Sequence, residues 1–230
     1  MGEVTLLAYL RNVRTLSHSE ARRVYDWVGK KLDSQSFYED RATDELIRRA
    51  DFSCAQSVFE FGCGTGRLAA RLLGDHLPES ATYRAVDLSA TMVRVARTRL
   101  EPFGERVEIV QTDGEPPSDQ PPESFDRFVS TFVFDLLSEH DIRSVLRQAH
   151  RDLRPSGLLC LASLSTGSTR VSRIAARLWS GIHRLRPSLV LGCRPIELTP
   201  FLPEADWRID HHVALTPFGL PAEVVVAERR

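Results

Sequence analysis

Short apolar runs alternate with amphipathic segments along the central part of the chain. QSVFEF around Val58 and ATYRAV ending at Val86 are mainly apolar runs of strand length, which predicts buried strands. GRLAARLL from Gly66 lies between them and repeats its apolar positions at helical spacing. The alternation continues with the helical ATMVRVARTRL, the strands RVEIVQ and FDRFVSTFVF, the helical DIRSVLRQAHRDL and the strand LLCLAS. Strands separated by helices of this length indicate βαβ units and therefore a parallel sheet.

The C-terminal part has a different pattern. WRIDHHVAL from Trp207 and AEVVVAER from Ala222 are both strand-like, and only the short turn around TPFGLP separates them. Two strands joined so closely can pair only as an antiparallel hairpin, because a parallel pair needs a crossover. We therefore predict an α/β fold with a doubly wound, mostly parallel, Rossmann-like sheet of seven strands, an antiparallel C-terminal strand and helices on both faces.

The segment before the first strand is helical in character. SHSEARRVYDWVGKKL has the spacing of an amphipathic helix, which Ser17 or Ser19 would open as the N-cap. A second helix is predicted from Ala42 to Ala50.

Length and charge are those of one ordinary globular domain. A chain of 230 residues is long enough for one substantial core and short for two. We predict a single domain over residues 1–230, with an N-terminal helical cover over 1–50 and a helical insertion between strands five and six over 164–200. The 30 basic and 31 acidic side chains nearly cancel, which argues against extensive binding to nucleic acid.

The four cysteines form no C-x-x-C pair and have no histidine at ligand spacing, so neither a zinc site nor a disulfide framework is indicated. The N-terminal segment has no long apolar region and no small-residue cleavage site. No apolar run approaches the roughly 20 residues that a membrane span needs. We expect a cytoplasmic protein that at most rests on a membrane surface.

The most informative segment is a glycine loop with the pattern E-x-G-x-G-x-G, from Glu60 to Gly66. Glycines are needed where the backbone turns tightly after a strand and approaches a ligand closely. A phosphate-binding loop would contain a lysine, but Lys30 and Lys31 are the only two in the protein. A dinucleotide loop would have its third glycine one residue later, where Arg67 stands. Glu60 would repel phosphates and would suit a ligand with an ammonium or sulfonium group.

This loop resembles motif I of the class I S-adenosylmethionine-dependent methyltransferases, and the resemblance extends from about Val58 to Ser163. It implies S-adenosyl-L-methionine as the cofactor, S-adenosyl-L-homocysteine as the product, and no metal. In this family the acid after the second strand accepts the ribose hydroxyls, and Asp87 matches it. The acid after the third strand contacts adenine, and Asp113 matches it, with Gly114 offering a backbone amide.

The resemblance assigns further residues to the cofactor. Leu88 and Met92 would line the apolar faces of adenine, and Thr131 with Phe132 would lie beside the methionine end of the cofactor. The turn Pro155-Ser156-Gly157 resembles the family's turn into the fifth strand, with Ser156 in place of the usual second glycine. The predicted cofactor-binding residues are Glu60, Gly62, Cys63, Gly64, Gly66, Arg67, Asp87, Leu88, Met92, Asp113, Gly114 and Thr131.

Each of these residues also has a purely structural interpretation. Asp87 alone could be a helix cap, and Asp113 alone could form a turn. Cys63 fits a small residue filling the loop better than a reactive thiol. The order of the features favours the cofactor: a glycine loop after strand one, an acid after strand two and an acid after strand three.

Methyl transfer from a sulfonium is an in-line displacement, so a protein base is needed only if the acceptor must lose a proton. Asp135 and His140, after the fourth strand, are the predicted catalytic residues, since ligand sites lie at the carboxyl ends of parallel strands. Asp135 could instead be a charge at the start of the next turn, and His140 a solvated loop residue. Tyr38 and His18 are further candidates.

No acidic residue occurs between Leu153 and Ile196, while arginines and apolar residues at helical spacing occupy the stretch from Arg170 to Arg186. Such a basic amphipathic helix can cover a pocket, lie on an anionic membrane surface or meet nucleic acid, or it can pack into the core with solvated arginines. In the family that this chain resembles, the insertion after strand five often shapes the acceptor site. The mixture favours a hydrophobic or anionic acceptor, as in quinone and phospholipid methyltransferases.

Three hypotheses about function follow. The first is a methyltransferase acting on a small-molecule or lipid-like acceptor, with possible peripheral membrane contact through Arg170–Arg186 and no nucleic acid. The second is an RNA or protein methyltransferase, which would predict an N/D-P-P-[YF] motif where this chain has FVFD. The third is a cofactor-binding protein without transfer activity. The oligomeric state is left open.

Overall fold

The computed structural model describes residues 15–29 and 36–230 and has a seven-stranded sheet at its centre. The order is β3-β2-β1-β4-β5-β7-β6, with the first five strands parallel and β7 antiparallel to both of its neighbours. The predicted α/β fold with an antiparallel C-terminal strand is confirmed. The strands are β1 Ser57–Phe61, β2 Thr82–Asp87, β3 Val107–Gln111, β4 Phe125–Thr131, β5 Leu153–Leu164, β6 Trp207–Leu215 and β7 Ala222–Arg229.

Helices cover both faces of this sheet. The helices are α1 His18–Val28, α2 Ser36–Arg49, α3 Arg67–Asp75, α4 Ala90–Leu100, α5 Glu139–Asp152 and α6 Arg170–Leu185. Buried side chains of α2, α3 and α4 pack against one face, and those of α5 and of the turn Thr199–Phe201 pack against the other. The central strand β1 is buried at all five positions, which explains its mainly apolar sequence.

Two predicted strand boundaries around β4 and β5 are wrong. β4 ends at Thr131 and does not continue to Phe134, because Phe132 adopts a φ of 55° that breaks the extended backbone. The Pro155-Ser156-Gly157 turn lies inside β5, where the pairing with β4 shifts register. Ser156 has a φ of 62° there, the left-handed conformation that glycine adopts most easily. A bulge in the strand thus takes the place of a free turn.

The N-terminal helices differ in length from their predicted bounds. Ser17 is the N-cap of α1, since its hydroxyl accepts from the backbone N–H of Glu20 at 3.3 Å while its own N–H donates to the Glu20 carboxylate at 2.9 Å. The helix ends at Val28, and its predicted continuation lies outside the described residues. α2 begins at Ser36, earlier than predicted, and packs on the sheet as part of one helix layer.

Helix α6 packs with an unexpected side toward the protein. Its buried residues are Ser172, Ala176 and His183. Leu178 is 67% exposed, and the other large apolar side chains of the helix are exposed too. The interpretation of α6 as a core-packing helix is therefore wrong. No helix within residues 15–29 and 36–230 is both long and apolar enough to cross a membrane.

Two leucines on helices test this difference in burial. Leu146 on α5 is 5% exposed, and Leu178 on α6 is 67% exposed. We expect Leu146→Ala to lower the free energy of unfolding by about 2–5 kcal/mol, because it leaves a cavity in the core. Leu178→Ala should change it by less than about 0.5 kcal/mol. Urea unfolding measures both, and a large loss with Leu178→Ala would mean that the stripe is buried after all.

Candidate functional site

A cleft opens at the carboxyl ends of β1, β2 and β4, where the strand order reverses between β1 and β4. Open parallel sheets bind ligands at this point because the loops on either side diverge. The loop after β1 and the end of β2 form the floor, and α1 and α2 supply residues from above. The sequence motifs and the N-terminal helices therefore meet in one place.

The glycine loop is held by hydrogen bonds to the end of β2. The N–H groups of Gly62 and Cys63 both donate to the Val86 carbonyl, at 2.9 and 3.0 Å. Gly62, Gly64 and Gly66 have φ values of 79°, 53° and 74°, which other residues adopt only under strain. Gly62, Cys63 and Gly64 line the cleft.

Gly66 has a different task from the one predicted. It is the N-cap of α3, and a Cβ there would lie 3.0 Å from the Cβ of Ala96 on α4. It does not line the cleft within the described part of the chain, and it allows two helices to approach.

The Asp87 carboxylate connects the glycine loop with the start of α4. One oxygen accepts from the Gly64 N–H at 2.8 Å, and the other accepts from the Ser89 N–H at 2.8 Å. Burial raises the pKa of Asp87 to about 6 despite these hydrogen bonds. The N-cap of α4 is Ser89, whose hydroxyl accepts from the Met92 N–H, so the interpretation of Asp87 as a helix cap is wrong.

Glu60 is the second acid on the floor of the cleft. It is 1% exposed, and its carboxyl group accepts a hydrogen bond from the Tyr83 hydroxyl at 2.9 Å. Burial raises the pKa of Glu60 to about 7, and the nearby Asp87 carboxylate raises it further against the effect of Tyr83. Two carboxyl groups that resist ionisation favour a ligand with positive charge.

The arginines that line the cleft are already paired with acids of α2. Arg67 bonds Asp40, and Arg71 Nη1 lies 2.6 Å from Asp44 Oδ1. The two acids are four residues apart on α2 and the two arginines are four residues apart on α3, so both ion pairs connect the same faces of the two helices. Their positive charges therefore do not neutralise Glu60, and Arg67 forms a wall of the cleft.

Helix α1 is fixed over the cleft by Asp26. This carboxylate accepts from the Ser89 hydroxyl at 2.5 Å and from the Thr91 N–H at 3.1 Å. His18 of α1 lines the cleft and lies beside Gly114, where a Cβ would come within 2.7 Å of His18 Nδ1. Gly114 therefore has to be glycine for α1 to pack here.

The residues predicted at the cofactor's adenine and methionine ends separate into two groups. Leu88, Gly114, Thr131 and Phe132 line the cleft. Asp113 does not line it; its exposed carboxylate accepts from the Glu115 N–H at 3.4 Å in a local turn. Met92, in the first turn of α4, does not line it either, because its side chain is fully buried. Asp113 thus has the turn-forming role that was its structural interpretation, and a contact of either residue with the cofactor stays a prediction.

Neither predicted catalytic residue lines the cleft. Asp135 is 1% exposed and lies near Cys193 and Arg194; burial raises its pKa to about 7, and Glu39 adds to this while Arg194 opposes it. His140 is exposed in the first turn of α5. The side chain of Tyr38 lies outside the described residues. His18, the remaining candidate, does line the cleft.

Several cleft residues were missed from the sequence. Asp141, next to His140, lines the cleft, accepts from the Ser138 hydroxyl at 2.7 Å and lies 3.7 Å from His18 Nε2. Tyr25 shares a face of α1 with His18, a helical spacing that could have indicated it. Cys193 comes from the segment after α6 and carries no such signal.

In the described part of the chain, no group of three or more His, Cys, Asp or Glu residues is arranged to hold a metal ion.

Burial raises the pKa of the Cys63 thiol well above its ordinary value, with further contributions from Asp87 and Glu60. Cys63 is thus protonated and unreactive, in agreement with its interpretation as a filler of the loop.

Comparison with known proteins agrees with this geometry. Residues 58–157 match a family model described as a methyltransferase domain. The chain is 31% identical over 134 residues to methyltransferase GfsG of Streptomyces halstedii, covering 56% of this chain and 45% of that protein. It is 33% identical over 119 residues to a carboxy-S-adenosyl-L-methionine synthase of Chromohalobacter salexigens, covering 51% and 43%. The chain thus spans less than half the length of these two relatives.

Solved structures show the same fold at low sequence identity. The [4+2]-cyclase SpnF has a TM-score of 0.71 at 16% identity, covering 94% of this chain and 98% of that one. A geranyl diphosphate methyltransferase in complex with GPP and sinefungin has a TM-score of 0.65 at 13% identity, covering 84% and 78%. At these identities the likeness shows the fold alone.

Gly62 should be intolerant of a side chain. A Cβ at Gly62 would lie 2.3 Å from Val133 Cγ2, on a backbone with a φ of 79°. We expect Gly62→Ala to cost about 1–2 kcal/mol of backbone strain and a further ~1–3 kcal/mol of overpacking. In the Val133→Ala background only the strain should remain, and thermal unfolding of the four proteins measures this coupling.

Gly219 is the matched control, since it has a φ of 86° and no heavy atom of the described residues within 4 Å of an added Cβ. Gly219→Ala should show only the strain. Equal costs for Gly62→Ala in both backgrounds would contradict the contact with Val133.

The raised pKa of Glu60 predicts a pH dependence of stability. The folded protein holds this proton up to about pH 7, whereas the unfolded chain releases it near 4.5. The unfolding free energy should therefore fall as pH rises from 4.5 to 7, by about 2–3 kcal/mol more than in Glu60→Gln. Urea unfolding of both proteins across this range measures the difference, and parallel curves would mean that Glu60 titrates normally.

Proposed function

We propose that this chain is a class I S-adenosylmethionine-dependent methyltransferase and that it transfers the methyl group of S-adenosylmethionine to a small-molecule or lipid-like acceptor. The observation that carries the proposal is a pair of acids, the buried Glu60 and the half-buried Asp87, both with a raised pKa beside a glycine loop at the strand ends. A cationic ligand that approaches the backbone closely fits this arrangement.

The residues of the cleft fit the cofactor in charge and in shape. Glu60 would face its positive charges and lose its proton on binding, because a nearby cation lowers the pKa of a carboxyl group. Asp87 is the acid available to ribose hydroxyls, Leu88 offers an apolar surface to a flat ring, and Gly114 offers a backbone amide. When bound, the cofactor supplies a methyl group activated by its sulfonium, which an acceptor can displace in line.

Further residues of the cleft support a small acceptor of mixed character. Leu136 and Leu137 supply apolar surface, while Tyr25, His18 and Asp141 supply polar groups. His18 Nε2 lies 3.7 Å from Asp141 Oδ2, so an imidazole nitrogen and a carboxylate stand side by side in this part of the cleft. These two residues replace Asp135 and His140 as our proposed proton acceptor and its partner.

A second function, a reaction without methyl transfer, is favoured by one observation. A relative that is 33% identical over 119 residues is named as a carboxy-S-adenosyl-L-methionine synthase and not as a methyltransferase. Cofactor binding and methyl transfer therefore need separate tests.

Cofactor binding is tested by isothermal calorimetry on three isosteric variants. We expect Asp87→Asn and Glu60→Gln to weaken binding of S-adenosylmethionine by roughly 10- to 100-fold, because each removes a charge-assisted contact worth about 1.5–3 kcal/mol. Asp113→Asn, the same change outside the cleft, should alter affinity less than about 2-fold. A wild-type protein that binds no S-adenosylmethionine would refute the assignment.

Comparison of S-adenosylmethionine with S-adenosylhomocysteine tests whether Glu60 interacts with the sulfonium charge. S-Adenosylhomocysteine lacks that charge, so its affinity should respond less to Glu60→Gln and to pH. Binding of S-adenosylmethionine by the wild type should strengthen as pH rises toward 7 and Glu60 ionises. An identical pH dependence for both ligands would remove Glu60 from the sulfonium site.

Transfer is tested by incubating the protein with methyl-labelled cofactor and fractionated cell extract, followed by separation of lipid, small-molecule, RNA and protein pools. Label in the lipid or small-molecule pool supports the proposal. Label confined to RNA or protein would assign another acceptor class, and cofactor binding without label in any pool would favour a reaction without transfer. Asp141→Asn should lower the rate of labelling more than His140→Asn, its exposed neighbour.

A further inference from the structure

Helix α6 turns its apolar side to solvent. Val171, Ile174, Leu178, Ile182 and Leu185 are spaced three or four residues apart and are exposed by 69, 57, 67, 44 and 85%. We call these five residues the apolar stripe. A surface helix normally buries such a stripe and exposes its polar side. Here Ser172, Ala176 and His183 are buried in its place, so the stripe is available to a partner.

Arginines border the apolar stripe. Arg170, Arg173, Arg177 and Arg184 lie within one third of the helix circumference, because they are three, four or seven residues apart. Three of them line a shallow groove with Thr166 and Glu197. The Glu197 carboxylate accepts from the Thr166 hydroxyl at 2.7 Å, and no acidic residue lies between positions 153 and 196. The helix therefore has one apolar side and one cationic side.

The exposed apolar surface continues beyond α6. Leu189, in the turn Pro187–Val190 that packs against the helix, is 67% exposed. Phe218, in the turn Pro217–Gly219 that also packs against α6, is 76% exposed. Large exposed apolar side chains grouped on neighbouring elements mark an interaction site rather than scattered surface residues.

We propose that α6 is an interfacial helix that lies on an anionic lipid bilayer. The apolar stripe enters the boundary between headgroups and acyl chains, and the arginines contact lipid phosphates. Nucleic acid would neutralise the arginines but would leave five large aliphatic side chains in water. A second copy of the chain would cover the stripe but would bring two rows of arginines to the rim of one interface. A bilayer satisfies both sides of the helix.

The location of α6 gives this contact a consequence for the cleft. The chain continues from α6 through the turn Pro187–Val190 to Cys193, which lines the cleft. A bound helix would hold that end of the cleft next to the bilayer. This consequence rests on the proposed function where it concerns a lipid-like acceptor, whereas lipid binding itself needs neither cofactor nor acceptor.

Flotation of the full-length protein with vesicles tests the proposal. We expect binding to vesicles of equal parts phosphatidylglycerol and phosphatidylcholine, and at least about 10-fold weaker binding to phosphatidylcholine alone. Ile174→Glu with Leu178→Glu should abolish binding. Arg173→Gln, Arg177→Gln and Arg184→Gln together should weaken binding roughly 100-fold and remove most of its salt dependence.

Matched controls separate the helix from general charge and from the N-terminus. Arg94→Gln, Arg143→Gln and Arg147→Gln remove the same charge from exposed positions on α4 and α5, and should weaken binding by less than about 3-fold. Leu6→Glu with Leu7→Glu should leave binding unchanged. Loss of binding in these two controls, with retention in the α6 variants, would overturn the proposal.

Two further outcomes would also overturn it. One is concentration-dependent dimerisation in sedimentation that Leu178→Glu abolishes, without vesicle binding by the wild type. The other is RNA binding as tight as vesicle binding and insensitive to Leu178→Glu. Circular dichroism confirms that the variants are folded, which their exposed positions lead us to expect.

Discussion

The carboxylate of Asp87 links the separate parts of the chain that form the cleft. It accepts the N–H of Gly64 from the glycine loop and the N–H of Ser89 from the turn into α4. The hydroxyl of Ser89 in turn donates to Asp26, which fixes α1 over the cleft. Loop, sheet edge and N-terminal helix therefore depend on one connected set of hydrogen bonds, two of which join residues 23 and 63 positions apart in sequence.

This arrangement has an energetic cost that points to ligand binding. Two acids, the buried Glu60 and the half-buried Asp87, lie close together on the floor of the cleft, and burial raises the pKa of both. A fold selected only for stability would place an apolar residue at the position of Glu60. The site instead keeps an ionisable group whose charge becomes favourable when a cation enters, which is the usual compromise between stability and function.

Helix α6 breaks the ordinary rule of burial in a similar way. Its sequence has strong amphipathic spacing, yet the protein packs against Ser172, Ala176 and His183 and leaves Leu178 and its neighbours exposed. A local pattern that conflicts with the surrounding packing is expected at functional surfaces. The positive charge of the arginines beside this stripe favours an anionic surface as the partner.

The sequence alone determined the alternation of strands and helices, the antiparallel hairpin and the glycine loop, since each depends on residues that are neighbours along the chain. It also located Glu60 and Asp87, because strand ends and the glycines fix their positions. The tertiary structure decided which of two neighbouring residues faces the cleft: Gly114 rather than Asp113, and Asp141 rather than His140. It also brought Tyr25 and Cys193 into the site and turned the apolar stripe outward. Periodicity tells which residues share a face, but only long-range packing decides what that face meets.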